Sequence, residues 1–345
     1  MQNTYPAPSL ERPPSGCTAR AGQYSDYKMV FDLLNSYARK INGQNDLDDP
    51  EFIRRDWLNA GFRPETDIHA VFGQNGSLLG VAESWLIHQP LVHPWNWVCV
   101  HPDHLEDGIW EYLLLWAEKR CRAALELVPA ELRVAPITGT EHTNQAGIRA
   151  IQSLGWTYSR SYYRMVTDLD AAPQVPTAPS GIIIRPYNPL TETEAVYRAV
   201  TDSFKDHYGF IDQPFEQGFA EFKHNLIEMP GYDPDFWYVA MDGEQVAGIC
   251  LCRPVDVEDA ASGWVNELGV RRDWRKQGLG TLLLKKAFAD FYARGQKRAA
   301  LGVDAGSLTG ALRLYERAGM RVARQFDHFE KELRPGQEIS TRTIE

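Results

Sequence analysis

The segment Val265–Thr281, V-N-E-L-G-V-R-R-D-W-R-K-Q-G-L-G-T, decides the fold of this chain. It is an apolar strand followed by a basic turn and by a glycine-bearing helix start that continues with helical periodicity to Tyr292. Gly278 and Gly280 carry no Cβ, so a ligand can approach this backbone closely. Because the first N–H groups of a helix have no partner within it and attract anions, the segment predicts a pyrophosphate site.

Four cations surround this turn in a chain whose net charge is −10, namely Arg271, Arg272, Arg275 and Lys276. Such a local excess of positive charge in an acidic chain strengthens the prediction of an anionic ligand. The acidic balance also argues against a protein that wraps nucleic acid, and it is compatible with a cationic substrate.

Length and composition limit the protein class. The 345 residues are long enough for two domains, and a hydrophobic content of 43% is ordinary for a soluble globular protein. No apolar run reaches the length of a membrane span, and residues 1–16 lack the pattern of a signal peptide. Cysteines at 17, 99, 121, 250 and 252 have no disulfide-framework spacing. We therefore expect a cytoplasmic protein with free thiols and with no nucleic-acid or membrane partner.

The chain carries one pattern twice. The strand, turn and helix of residues 97–120 have the same order as those of 265–292, and residues 144–156 parallel 307–320. Gly108 and Gly278 are separated by nearly the same length of chain as Gly155 and Gly319. A period this long excludes a solenoid and predicts a duplicated domain.

The order of elements predicts an α/β fold built from two tandem domains of one type. Each domain is expected to have a mixed central sheet, antiparallel at first and partly parallel around a crossover helix, with helices on both faces. The Pro- and Ala-rich segment after residue 170 is typical of a linker. We expect a disordered tail at 1–20, domains at 21–170 and 182–334, a linker at 171–181 and a second tail at 335–345.

Residues 270–281 resemble the acyl-CoA-binding motif of the GCN5-related N-acetyltransferases, the GNAT family, in which an Arg or Gln precedes two closely spaced small residues. Leu314–Met320, L-Y-E-R-A-G-M, resembles the later helix of that family. The duplicated layout is similar to the tandem acetyltransferases of the mycothiol synthase type. The resemblance covers residues 21–334, strongly in the second half and in outline in the first.

The resemblance implies acetyl-CoA as co-substrate and no metal. The N–H groups of 277–281 would cradle its diphosphate, Arg275 and Lys276 would add positive charge, and strand residues 268–270 would bind the pantetheine amides. Ser307 stands where the family often has an Asn that contacts the cofactor. The implied cofactor-binding residues are Leu268, Gly269, Val270, Arg275, Lys276, Gln277, Gly278, Leu279, Gly280, Thr281 and Ser307.

Glu267 and Tyr315 are the candidate catalytic residues. Acyl transfer to an amine requires a neutral nucleophile, and a carboxylate in an apolar strand has the raised pKa that suits a general base. Glu267 facing solvent, or paired with a neighbouring arginine, stays open as an alternative. Tyr315 resembles the family's general acid, which protonates the departing thiolate. Its alternative is a core tyrosine whose hydroxyl binds a backbone carbonyl.

Weaker signals concern the acceptor and a metal. His207 and Tyr208 fall where the family places its acceptor-binding segment, whereas Phe236 and Trp237 are more typical of core residues. Cys99, His101 and His104 lie close together, but His101 begins a turn that fits the duplicated template, so we expect no metal site.

The first copy departs from the motif. Leu105, Gly108 and Trp110 occupy the positions of Arg275, Gly278 and Gly280, and two carboxylates lie between them. Trp110 prevents close approach, like charges repel a diphosphate, and Ile151 replaces the tyrosine. These losses predict a catalytically silent first domain.

The sequence thus predicts a cytoplasmic, acetyl-CoA-dependent N-acetyltransferase, a monomer or homodimer, whose active site lies in the second domain. Its acceptor would be the amine of a small molecule, attacking directly in a ternary complex, because Cys250 and Cys252 of the second domain lie in a strand with no histidine partner nearby. Two alternatives stay open: a non-catalytic acyl-CoA sensor or scaffold, and an acyltransferase that acts on a protein N-terminus or lysine.

Overall fold

The computed structural model describes residues 12–44, 47 and 49–343, and the chain forms two compact units. The first unit contains the chain up to Ser161 together with Gln325–Ile339, and the second contains Tyr162–Arg324 together with the chain from Ser340. These divisions differ from the expected 21–170 and 182–334, because each unit takes one strand from the other half of the chain.

The first unit has a six-stranded sheet with the order β1-β2-β3-β4-β5-β12, to which β12 contributes its part from Gln325. Its strands are β1 (Cys17–Ala21), β2 (Ile68–Gly73), β3 (Leu78–Trp85), β4 (Trp95–Val100), β5 (Ile137–Glu141) and β12 (Arg321–Glu330). Its helices are α1 (Tyr27–Tyr37), α2 (Glu51–Asp56), α3 (Pro64–Asp67), α4 (Ile109–Ala123) and α5 (Gln145–Ser153).

The second unit repeats this plan with the order β6-β11-β10-β9-β8-β7, in which β6 contributes its part from Tyr162. Its strands are β6 (Thr157–Asp168), β7 (Ile182–Pro186), β8 (Trp237–Asp242), β9 (Gln245–Arg253), β10 (Ser262–Val270) and β11 (Arg298–Asp304). Its helices are α6 (Thr193–Phe204), α7 (Phe215–Phe222), α8 (Leu279–Ala293) and α9 (Ala311–Arg317).

Helices cover both faces of the second sheet. One core cluster joins α8 and α9 to the sheet through Leu283, Leu284 and Tyr315, and another joins α6 through Val196 and Ala199. β10 pairs in parallel with β11 and antiparallel with β9. The predicted mixed α/β architecture with helices on both faces is therefore confirmed.

The expected tails are partly ordered. Residues 17–20 lie in β1, whereas residues 1–11 lie outside the described residues. Near the other end, the Gln337 N–H donates to the Glu131 carbonyl at 2.7 Å, and the Thr341 N–H donates to the Phe210 carbonyl at 2.8 Å. The expected linker, 171–181, contains neither helix nor strand. No helix among the described residues is both long and apolar enough to span a membrane.

The divergence of β10 from β11 positions the site. Their pairing runs from Ser262 opposite Arg298 to Val265 opposite Leu301 and ends there. On the other side of β10, the register with β9 shifts between Val265 and Glu267, as at a β-bulge. Beyond Val265, one edge of β10 is consequently left without a strand partner, at the position where the sequence places the candidate catalytic carboxylate.

Two strand glycines provide a matched test of this packing. A Cβ at Gly263 on β10 would lie 2.3 Å from the Phe291 ring, whereas a Cβ at Gly302 on β11 would meet its nearest neighbour, Trp264, at 4.0 Å. We expect Gly263→Ala to lower the free energy of unfolding by about 1–3 kcal/mol through overpacking. Gly302→Ala should change it by less than about 0.5 kcal/mol. Equal effects in denaturant titrations would contradict this packing.

Candidate active site

A cleft of about 860 Å³ opens in the second unit where β10 and β11 diverge. One wall is β10 from Val265 to Val270, and the opposite wall is the end of β11 with the turn before α9. The turn after β10 closes one end, and residues 203–208 border the remaining side. The structure therefore brings together the candidate catalytic, cofactor-binding and acceptor-binding residues in this one cleft, with the exception of Gln277, which does not line it.

The turn before α8 is shaped to bind an anion. Gly278 precedes the helix in the left-handed conformation, with φ 82°, and nothing lies within 4 Å of the position of a Cβ there. Lys276 also has a positive φ of 63°, which is uncommon for a residue with a side chain and is enriched at ligand-binding sites. Successive N–H groups in such a turn form a concave anion site. Lys276 has no ion pair with any described residue, so its charge is available to a ligand.

The arginines of this turn bind protein groups instead. Arg275 and Arg272 both pair with Asp206, and Arg271 lies 3.0 Å from Asp202. Burial alone would raise the pKa of Asp206, but the hydrogen bonds from Arg275 and Arg272 outweigh it and lower that pKa.

Arg275 has a structural role that the sequence did not reveal. Its Nε donates to the Val270 carbonyl at 3.0 Å, and its Nη2 donates to the Ser203 carbonyl at 3.1 Å. Together with the ion pair to Asp206, these bonds fasten the end of β10 to the end of α6. Whether Arg275 also adds positive charge at a bound diphosphate stays a prediction, and Lys276, which has no ion pair with a described residue, is the cation best placed for that role.

Two glycines of the motif are required by packing. A Cβ at Gly269 would lie 2.7 Å from the Ser203 Cβ, and one at Gly280 would lie 2.8 Å from Leu314 Cδ1. Gly269 thus lets α6 approach β10, and Gly280 lets α9 approach α8. These two positions therefore require glycine for packing, whether or not a ligand also approaches them.

The open edge of β10 presents alternate N–H groups. The Arg271 N–H donates to the Ala247 carbonyl on the β9 side at 3.0 Å. Because hydrogen-bonded pairs alternate in an antiparallel ladder, Gly269 also faces β9, whereas Leu268 and Val270 direct their N–H groups toward the cleft. Of the three strand residues expected to bind pantetheine, these two have donors in the right direction.

Glu267 is partly exposed into the cleft, and its carboxylate has no hydrogen bond or ion pair with any described residue. Burial raises its pKa to about 7. The alternative in which a neighbouring arginine binds Glu267 is wrong, because Arg271, Arg272 and Arg275 pair with Asp202 and Asp206. A carboxyl group with this pKa can take up and release a proton near neutral pH.

Tyr315 reaches the cleft from the other face of the sheet. It is 8% exposed, and burial raises the pKa of its phenol, assisted by the nearby Cys250 and Glu267. No described residue hydrogen-bonds its hydroxyl, so the alternative of a hydroxyl held by a backbone carbonyl is wrong. Tyr315 belongs to the core cluster of α8, whereas Glu267 lies opposite Leu251 of the α6 cluster. A protonated donor and a carboxylate therefore enter one cleft from opposite faces.

The remaining candidates occupy the rim of the cleft. His207 and Tyr208 line it, and burial, reinforced by Arg275, lowers the pKa of His207. The Ser307 hydroxyl accepts the Ala311 N–H at 3.3 Å and so caps the first turn of α9. Phe236 and Trp237 are buried in the core, in agreement with their interpretation as core residues.

The cleft residues that sequence reasoning missed include Tyr162, Ser203 and Asn266. Tyr162 comes from β6, which the sequence assigned to the first domain, and Ser203 reaches β10 only through the tertiary approach of α6. Gly269 was the sequence feature that indicated a close contact with β10, but it did not show that the contact is made by Ser203 of α6.

The corresponding region of the first unit is filled by protein. Trp110 is 1% exposed, and a Cβ at Gly147 on α5 would lie 3.1 Å from its indole. The Tyr37 hydroxyl lies 3.3 Å from the Thr140 hydroxyl and accepts a hydrogen bond from the Asn144 amide at 3.0 Å. Side chains thus occupy the space beyond the β4–β5 pairing, which supports the prediction of a silent first domain.

The cysteine and histidines near residue 100, the weak metal signal of the sequence, make ordinary contacts within the protein. His104 binds Asp107 at 2.7 Å, and Cys99 is buried. Within the described parts of the chain, no group of three or more His, Cys, Asp or Glu side chains is arranged to hold a metal ion.

The predicted diphosphate site at the N–H groups of 277–281, here called the cradle, can be tested with a matched pair of glycines. Gly278 and Gly108 each precede a 15-residue helix with a positive φ, and neither has an atom within 4 Å of its Cβ position. We expect Gly278→Trp to weaken acetyl-CoA binding at least tenfold in calorimetry, whereas Gly108→Trp should leave it unchanged. The parent protein should bind one molecule per chain. Two molecules per chain, or equal losses in both variants, would refute the assignment of the cradle to one unit.

The raised pKa of Glu267 predicts a pH-dependent effect on stability. The folded protein holds a proton on this carboxyl up to about pH 7, whereas the unfolded chain loses it near 4.5. The parent therefore loses stability relative to Glu267→Gln as pH rises through that window. We expect the variant to have the higher Tm at pH 8 and a similar Tm at pH 4.5. Exposed Glu316→Gln is the control, and a difference independent of pH would contradict the burial of a proton-binding carboxyl.

Comparisons with known proteins agree with this geometry. Residues 194–320, which lie in the second unit, match the model of the acetyltransferase (GNAT) family. The mycothiol acetyltransferase of Thermobispora bispora is 28% identical over 180 residues, which cover 50% of this chain and 58% of that protein. A GCN5-related N-acetyltransferase from Sphaerobacter thermophilus has a crystal structure with a TM-score of 0.79 and 28% identity, covering 94% of this chain and 98% of that one. A tandem GNAT protein from the clavulanic acid biosynthesis pathway shares the fold, with a TM-score of 0.67 and 14% identity over 93% of this chain and 100% of its own.

Proposed function

We propose that this chain, whose residues 194–320 match the acetyltransferase (GNAT) family, transfers an acetyl group from acetyl-CoA to the amine of a small molecule in the cleft of its second unit. One observation carries the proposal: the unpaired Glu267 carboxylate and the unpaired Tyr315 phenol share the cleft that opens where β10 leaves β11. A scaffold that only held acyl-CoA would have no need for this proton acceptor and proton donor.

The residues present fit acetyl-CoA. The N–H groups of 277–281 and the free Lys276 ammonium suit its diphosphate, and the open N–H groups of Leu268 and Val270 suit the amide carbonyls of its pantetheine arm. Acetyl-CoA supplies an activated acyl group as a thioester.

Glu267 prepares the acceptor for attack. An amine enters from water as an ammonium ion, and Glu267 takes its proton directly or through one water molecule. The neutral nitrogen then forms a bond to the acyl carbon while the carbon–sulfur bond breaks. A pKa of about 7 lets the carboxylate serve as acceptor at neutral pH and return the proton to solvent afterwards.

Tyr315 supplies the proton of the leaving group. Its raised pKa keeps the phenol protonated, so it can donate to the departing thiolate sulfur and then regain a proton from solvent. The nitrogen loses its second excess proton to solvent as the amide forms, so one proton is released for each ammonium ion that is acetylated. The N–H groups on the open edge of β10 are suited to stabilise negative charge on the carbonyl oxygen during attack.

Direct transfer in a ternary complex is supported by the state of the cysteines. Cys250 and Cys252 are fully buried, so neither sulfur is accessible for acylation, and burial strongly raises the pKa of the Cys252 thiol, so Cys252 is not a reactive thiolate. All five cysteines are free thiols, which is consistent with the proposed cytoplasmic location.

The pH dependence of turnover tests the role of Glu267. We expect kcat/KM for an amine to fall below about pH 7 as the carboxylate becomes protonated. Glu267→Gln should lose that limb and lower kcat at pH 7.5 by about 10²–10⁴-fold, with the KM for acetyl-CoA unchanged. Release of the CoA thiol from acetyl-CoA measures both kcat and KM. A Glu267→Gln profile that superimposes on the parent profile would exclude this residue as the base.

A further inference from the structure

Two buried polar groups on the wall of the cleft have no partner in the protein. Ser203 is 3% exposed and its Oγ makes no hydrogen bond, and the Asn266 Nδ2 is likewise enclosed and unpaired. Both residues line the cleft. Buried side-chain polar atoms are nearly always paired in folded proteins, so an unpaired group on a residue that lines a cleft indicates a ligand that pairs with it.

These groups flank Glu267. Asn266 precedes it at the bulge of β10, and the Ser203 Cβ lies 2.7 Å from the position of a Gly269 Cβ. Residues two apart on a strand share a face, so Ser203 covers the same face as Glu267. Two residues of strand correspond to about 7 Å. The distance along β10 from the carboxylate to the site covered by Ser203 is therefore the length of a small polar molecule.

The face of β10 that carries Ser203 is the face that also carries Glu267. It is the face covered by α6, and the adjoining residues 204–208 include His207 and Tyr208. The open N–H groups of Leu268 and Val270, which suit pantetheine, lie instead along the strand edge. Ser203 and Asn266 are thus placed to contact the molecule whose amine meets Glu267.

We propose that Ser203 and Asn266 form a hydrogen-bonding subsite for the acceptor, which selects an amine bearing hydroxyl or amide groups within about 7 Å of its nitrogen. An amino sugar or amino alcohol satisfies this requirement, and an alkylamine does not. The inference rests on the proposed function in one respect, because Glu267 fixes where the amine lies. Buried polar groups left unpaired by an alkylamine would make the site discriminate against it.

Equilibrium binding tests the subsite without requiring turnover. Glucosamine and cyclohexylamine are suitable probes, because they share a six-membered ring and a primary amine but differ in their hydroxyl groups. Calorimetry on the full chain saturated with CoA should give a Kd for glucosamine at least tenfold lower than that for cyclohexylamine. Ser203→Ala and Asn266→Ala should each reduce this ratio several-fold.

Stability distinguishes a ligand-binding serine from a structural one. Because the Ser203 Oγ has no partner in the protein, Ser203→Ala should leave the Tm unchanged or slightly higher. Ser161 is the matched control: it is 5% exposed, and its Oγ donates to Asp327 at 2.6 Å. Ser161→Ala should lower the Tm and leave the ratio of the two Kd values unchanged.

The outcomes separate this proposal from the proposed function. A parent protein that binds neither probe, or binds both equally, overturns the subsite, as does a Ser203→Ala variant that retains the parent ratio. Preferential binding of glucosamine that disappears in Ser203→Ala supports the subsite. If no amine then releases thiol from acetyl-CoA, acetyl transfer fails while the subsite stands.

Discussion

The separation of β10 from β11 after Val265 is the constraint on which the site depends. A strand that loses its neighbour within a sheet leaves N–H groups unpaired, and burial makes unpaired groups costly unless a ligand meets them. The same separation admits Tyr315 from one face of the sheet and Glu267 from the other. The carboxylate, the phenol and the N–H groups of the open strand edge thus meet in one cleft because the pairing of β10 with β11 ends early.

The cations of the motif divide into two roles. Arg275 and Arg272 share Asp206, and this ion pair, with the bonds of Arg275 to the Val270 and Ser203 carbonyls, joins the end of β10 to α6. Lys276 remains as the charge available at the cradle. The positive charge that marks this segment in the sequence therefore serves mainly to hold the cleft walls in place.

Local features of the site were predictable from the sequence. The anion-binding turn depends on Gly278 and the start of α8, which are adjacent in the chain, and the raised pKa of Glu267 follows from a carboxylate in an apolar strand. The mixed fold followed from the order of its elements. Whether Glu267 and Tyr315 catalyse acyl transfer stays a prediction.

Tertiary features were not predictable. The structural partners of Arg275 and Gly269 lie on α6, and no periodicity connects residues so far apart in the chain. The exchange of β6 and β12 was also hidden, because two copies of one domain offer the same strand edge and the sequence does not specify which copy a strand joins.

A crystal structure of the protein with acetyl-CoA would show directly whether the cleft of the second unit binds the thioester. We expect one acetyl-CoA per chain, its diphosphate on the N–H groups of 277–281 and its thioester in the cleft between Glu267 and Tyr315. Acetyl-CoA bound in the first unit, or a thioester remote from both side chains, would contradict this expectation.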